Sequence, residues 1–221
     1  MLKTHSTNLQ QFNAIGLFII IVLIALPAST WTYSVGNPLI YFKYDTPPGQ
    51  VFYVLSKLTG LYAIVLIWMQ ASLALLHNTP LKSQIKFWNL KFHKTLGLLA
   101  TAFLVSHAAL FIAAVSIRKD NIALNLLIPQ FDNSFYAFSV ALGVIGLYGL
   151  LATVALGFYR AHSTKLAKRL HWLAIPSFIL VFVHSLLIGT ETRDAAMLSI
   201  YVFMGVLFLG ALIYRITTRL R

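Results

Sequence analysis

Two apolar stretches of membrane length, each carrying a pair of widely spaced histidines, constrain this chain more than any other feature. Residues 92–118 hold His93 and His107, fourteen apart, and residues 169–190 hold His171 and His184, thirteen apart. A histidine inside an apolar helix is expensive to bury and marks a functional position by default. Any fold proposed for the chain must therefore place four imidazoles where they find partners.

Composition decides the solvent. Of 221 residues, 59% are hydrophobic and 10% charged, and the mean hydropathy is +0.80. A water-soluble domain of this length cannot cover itself with so few charges, so the chain reads as an integral membrane protein. There is no cysteine. That removes disulfides, thiolate metal sites, iron–sulfur clusters and covalent attachment of heme through a C-x-x-C-H motif.

Six apolar spans are predicted, at about 13–27, 51–77, 92–118, 136–159, 169–190 and 196–215. The first also has the basic start, apolar middle and small residues (Pro27-Ala28-Ser29) of a leader peptide, but the charge pattern works with it retained, and it is read as a transmembrane helix. Pro38, Pro47 and Pro48 mark residues 28–50 as a loop. Gly143, Gly146, Gly149 and Gly157 in the fourth span allow close helix approach. No internal repeat, low-complexity tract, appended soluble domain or nucleotide-binding glycine motif is evident.

Six spans put both termini on one side. That side carries Lys3, Lys82, Lys86, Lys91, Lys94, Arg160, Lys165, Lys168, Arg169, Arg215, Arg219 and Arg221; the other carries Lys43, Lys57, Arg118, Lys119 and Arg193, twelve against five. The Lys/Arg bias orients the richer side, and both termini, to the cytoplasm. All five acids, Asp45, Asp120, Asp132, Glu191 and Asp194, fall on the poorer side. The net charge of +12 is thus explained by topology and lipid headgroups, with no call for nucleic acid. The predicted fold is an all-α six-helix membrane bundle in the inner membrane.

Spans three and five both begin at the cytoplasmic face and run parallel. His93 and His171 fall near that face, and His107 and His184 about 20 Å deeper at 1.5 Å per residue. Matched pairs at two depths are what axial ligation of two b-type hemes requires, one in each leaflet. Ligands this far apart cannot share one zinc ion. Register is the obstacle. Fourteen residues return His107 to within about 40° of His93, but thirteen leave His184 about 140° from His171 on an ideal helix. Pro176 lies between them and offers a change of winding. Lys57, in the outer half of span two, is a candidate for a heme propionate, an anionic acceptor or simple snorkelling. Lys94 and Arg169 are candidates for inner propionates or positive-inside anchors. Phe178 and Phe182 read as core, with an aromatic between hemes as the sharper alternative. His5, His77 and His162 read as interfacial or solvated.

The segments Phe92-His93-Lys94-Thr95-Leu96-Gly97 through His107, and Arg169-Leu170-His171-Trp172-Leu173 through His184, resemble the ferric reductase-like transmembrane domain. That superfamily includes NADPH oxidases, ferric reductases and the heme-binding subunit of the bacterial methionine sulfoxide reductase system. The resemblance covers nearly the whole chain, and its fourteen and thirteen spacings match the bis-heme pattern. It implies that His93 and His171 ligate a cytoplasmic-side heme and His107 and His184 an outer one. It further implies an electron-transfer component of an oxidoreductase. Unlike most relatives, this chain shows no flavin and nucleotide domain after span six. Electrons are then expected from a separate cytoplasmic flavoprotein reductase or from quinol, bound for ferric iron, oxygen, quinone or a periplasmic protein. The alternatives are a one-heme subunit serving a periplasmic methionine sulfoxide reductase, and a non-redox transporter or assembly protein with structural histidines.

Overall fold

In the computed structural model, residues 14–43, 45–77, 79–80, 89–132, 134–159 and 165–218 are described. Every regular element among them is helical: α1 (Ala14–Val35), α2 (Ile40–Lys43), α3 (Gln50–Leu76), α4 (Leu90–Lys119), α5 (Phe135–Tyr159), α6 (Lys165–Leu170), α7 (Ala174–Ile188) and α8 (Ala195–Thr217), with short 3-10 turns between some of them. Five segments are long and apolar enough to cross a membrane: α3, α4, α5, the continuous run Lys165–Ile188, and α8. The protein is a multi-pass membrane protein on this evidence.

The first boundary differs from expectation. Residues 28–35 are helix rather than loop, because α1 continues through Pro27 to Val35. Pro27 is buried, and the Thr30 hydroxyl donates to the carbonyl of Leu26 at 2.9 Å while the Thr32 hydroxyl donates to Ala28 at 2.8 Å. These hydroxyls bond within the turns that follow the proline, whereas the carbonyl that Pro27 leaves without an N–H is that of Leu23. Elsewhere the ends shift by a few residues and have visible caps. Asn89 accepts from the Phe92 N–H at the start of α4, and Asp194 from the Ala196 N–H at the start of α8, each at 2.9 Å. The expected loop residues Lys82, Lys86, Arg160 and His162, and the terminal Lys3, His5, Arg219 and Arg221, lie outside the described residues.

α3 is the hub. It packs against α4 along its length and also meets α1, α7 and α8, while α5 packs chiefly on α7. Aromatic donors lock the bundle by bonding to backbone carbonyls on other helices. Trp31 donates to Val54 at 2.8 Å, Tyr62 to Ile24 at 3.0 Å and Trp68 to Met204 at 2.8 Å. Where no water is at hand, such donors must find protein acceptors. Gly49, at φ 76°, starts α3 against the Ala114 carbonyl of α4, where any Cβ would collide.

Candidate functional site

The four histidines come together as two pairs. His93, in the first turn of α4, and His171, at the start of a 3-10 turn, face each other with ring centroids 6.1 Å apart and planes at 70°. Two imidazoles on opposite sides of one metal ion, each nitrogen about 2 Å from it, hold their centroids about 6 Å apart. The centroid spacing of the inner pair matches that distance. His107 and His184 line one cavity of about 220 Å³ between α3, α4, α5 and α7, walled by aliphatic side chains such as Leu61, Ile64, Leu104, Val144 and Val181.

Three of the four rings are aimed by a bond at Nδ1. Nδ1 of His107 lies 2.7 Å from the Ser56 carbonyl, Nδ1 of His184 lies 2.8 Å from the Ser139 carbonyl, and Nδ1 of His171 lies 3.3 Å from the Thr153 carbonyl. A carbonyl oxygen only accepts, so in each case Nδ1–H donates and the ring's lone pair falls on Nε2. A backbone carbonyl holding Nδ1–H is the usual way a ligating histidine has its tautomer and direction fixed.

These carbonyls share a sequence context that the linear reading missed. Each belongs to a Ser or Thr followed four residues later by glycine: Ser56 and Gly60, Ser139 and Gly143, Thr153 and Gly157. In a helix the Cβ of residue i+4 leans back over the carbonyl of residue i, so glycine there uncovers it. A Cβ on Gly60 would stand 2.8 Å from Nδ1 of His107, and one on Gly143 would stand 2.6 Å from Nδ1 of His184. At Gly157 the nearest atom of His171 is 3.7 Å away, a looser seat. The hydroxyls of Ser56, Ser139 and Thr153 fold back onto their own helices. The arrangement recurs: α3 with α4 and α5 with α7 are each an antiparallel hairpin whose first helix presents the serine–glycine seat and whose second presents the histidine. The expectation of no internal repeat is corrected accordingly, because the repeat lives in three-dimensional placement and a few small residues rather than in leucine-rich text.

The register obstacle is reduced locally. Residues His171–Leu173 are 3-10 rather than α, and the N–H of Ala174 bonds the carbonyls of His171 and Trp172. A 3-10 residue turns about 120° instead of 100°, so three of them close about 60° of the 140° mismatch. Pro176 has no N–H for the Trp172 carbonyl and crowds it, which favours the tighter turn just upstream.

Lys57 has a partner that the sequence did not announce. Its Nζ lies 2.7 Å from Oε1 of Glu191, with the two side chains 15% and 7% exposed, and both line the cavity that holds His107 and His184. Ser34 donates to the same oxygen at 2.9 Å and Thr190 to Oε2 at 3.0 Å. Burial raises the Glu191 carboxyl, but hydrogen bonding and charge from Lys57, with help from Ser34, hold it below the usual carboxylate range. Lys94 and Arg169 are exposed beside the inner pair, His77 closes α3, and Arg215, counted with the charges of the cytoplasmic side, is buried. Phe178 and Phe182 pack toward α8, on Phe208 and Tyr201 at 4.6 and 5.4 Å between centroids, which makes them core.

No family model, curated protein or solved structure matches this chain.

Proposed function

We propose that this protein is a b-type cytochrome of the ferric reductase-like class, a six-span inner-membrane protein with cytoplasmic termini that carries electrons across the bilayer. His93 and His171 would hold an inner heme, and His107 and His184 an outer one. When bound, heme would supply one-electron chemistry, with the four histidines as the residues that would hold it. The chain's own part is placement. The Ser56, Ser139 and Thr153 carbonyls fix three Nδ1 protons, Gly60 and Gly143 give two rings room, and the apolar walls exclude water. Lys57 and Glu191 close the outer end, and Lys94 and Arg169 flank the inner one, where they are available to a propionate. The donor is a separate cytoplasmic flavoprotein or quinol, and the acceptor lies on the opposite face.

The observation that carries this reading is the 6.1 Å edge-on approach of His93 and His171, brought together from two different helices. The test is heme per polypeptide on purified protein, with a dithionite-reduced minus oxidised visible spectrum. Two low-spin b-type hemes are expected, falling to one in His93→Ala. One heme in the wild type, unchanged by His93→Ala, selects the one-heme subunit instead. A colourless protein from heme-replete cells ends the cytochrome reading.

A further inference from the structure

The charge on the face that carries His93 and His171 is more extreme than topology needs. On the sequence reading, twelve Lys and Arg residues fall at that end and not one of the chain's five acids does, although Arg215 among the twelve is buried in α8. Orientation in the membrane is set by the Lys/Arg bias, and acids weigh little in it. Acids at this end would therefore cost nothing in topology. Excluding all of them leaves an undiluted positive field. Lys91, Lys94, Lys165 and Arg169 are all exposed, on the first turns of α4, which carries His93, and on α6, which leads directly into the turn that carries His171. Both rings of that pair are only partly buried. Exposed basic residues thus flank the inner histidine pair on both of the segments that carry it.

We propose that this basic flank is the docking face of a soluble electron donor that presents negative charge, such as phosphate or carboxylate, at its contact surface. The inference rests on the electron-transfer reading above and names the chemistry of its donor. Positive charge beside a partly buried redox site raises the local concentration of an anionic donor and orients it toward the inner pair. The redox step balances without further reactants. A two-electron reduced flavin gives its electrons one at a time to two ferric irons, is oxidised to the quinone form, and releases its protons to water.

The probes are reduced FMN, whose phosphate is anionic, and reduced lumiflavin, which has the same ring and no phosphate. Rates are read at the heme absorption band by stopped flow on the whole protein in neutral detergent. FMN is expected to be faster than lumiflavin by about tenfold at low ionic strength, and the advantage to vanish at about 0.5 M salt. The double variant Lys91→Glu/Lys165→Glu is expected to remove most of that advantage while leaving the lumiflavin rate unchanged. Equal rates for the two flavins in a protein with a normal heme band overturn the docking face and leave the cytochrome reading standing. The measurement is repeated in nanodiscs. A preference kept in neutral lipid but abolished by anionic lipid overturns the proposal in favour of a headgroup-binding face. Equilibrium dialysis separates the remaining case. Retention of FMN over lumiflavin by a protein with no reducible band overturns the electron-transfer reading, and the donor role with it.

Discussion

At the scale of single residues, the most exacting positions are two glycines and one ion pair. Gly60→Ala and Gly143→Ala each place a methyl carbon within 3 Å of an imidazole nitrogen, a contact at which something must shift. Each is expected to displace its histidine and cost about half of the bound heme, the outer half, while Gly157→Ala, whose seat is looser, costs little. Heme-to-protein ratios on the three variants check this ordering. The ion pair governs stability instead. Lys57→Met strands a buried carboxylate and is expected to destabilise the protein by about 3–5 kcal/mol, whereas Lys57→Met/Glu191→Leu loses much less. Because the folded Glu191 carboxyl sits below its unfolded value, its contribution is complete above the ordinary carboxylate range and is lost as pH falls through the folded pKa. Thermal unfolding in mild detergent should therefore weaken in acid, and Glu191→Gln should flatten that acid limb. None of this was legible in advance for Glu191, since an acid in a short polar turn carries no sign of the lysine that folding will bring to it.

Helices tell a different story, because apolar runs of membrane length declare themselves. The second to sixth predicted spans all reappear with modest shifts at their ends, and the fifth begins earlier, at Lys165. The first was cut short at Pro27 because a proline in linear text reads as a stop. In the structure Pro27 is buried and the helix runs through it to Val35. The histidine spacings were legible and the winding between them was not, since sequence periodicity assumes one uniform helix. The 3-10 turn at His171–Leu173 supplies a prediction at this scale. Pro176→Ala restores an N–H for the Trp172 carbonyl and lets the turn relax to α, rotating His171 by about 60° relative to His184. The inner pair should then open while the outer pair keeps its place. Expected is a selective loss or high-spin conversion of one heme, read in the reduced-minus-oxidised spectrum. Equal damage to both hemes would mean that the turn serves general packing rather than the register of His171.

For the molecule as a whole, the two hairpins give the site its depth and the charges give it direction. α4 and the run from α6 through α7 each carry one histidine at the basic end and one farther in, against parallel seats on α3 and α5. If electrons cross the bilayer by this route, the basic end must lie on one side of the membrane and the Lys57–Glu191 pair on the other. The absence of cysteine makes this directly measurable, because any introduced thiol is the only one in the chain. Single cysteines at Lys94 and Lys165 probe the basic end, and single cysteines at Asp120 and Arg193 probe the opposite one; all four residues are exposed or lie in turns. With a membrane-impermeant maleimide, intact spheroplasts should label only Asp120→Cys and Arg193→Cys, and inside-out vesicles only Lys94→Cys and Lys165→Cys. Adding a cysteine after Met1 extends the test to the amino terminus and hence to the first span. It should label with the basic-end group if α1 crosses, and with the opposite group if it does not. Labelling of both ends from one side would leave no membrane for the electron to cross, whatever the heme content proved to be.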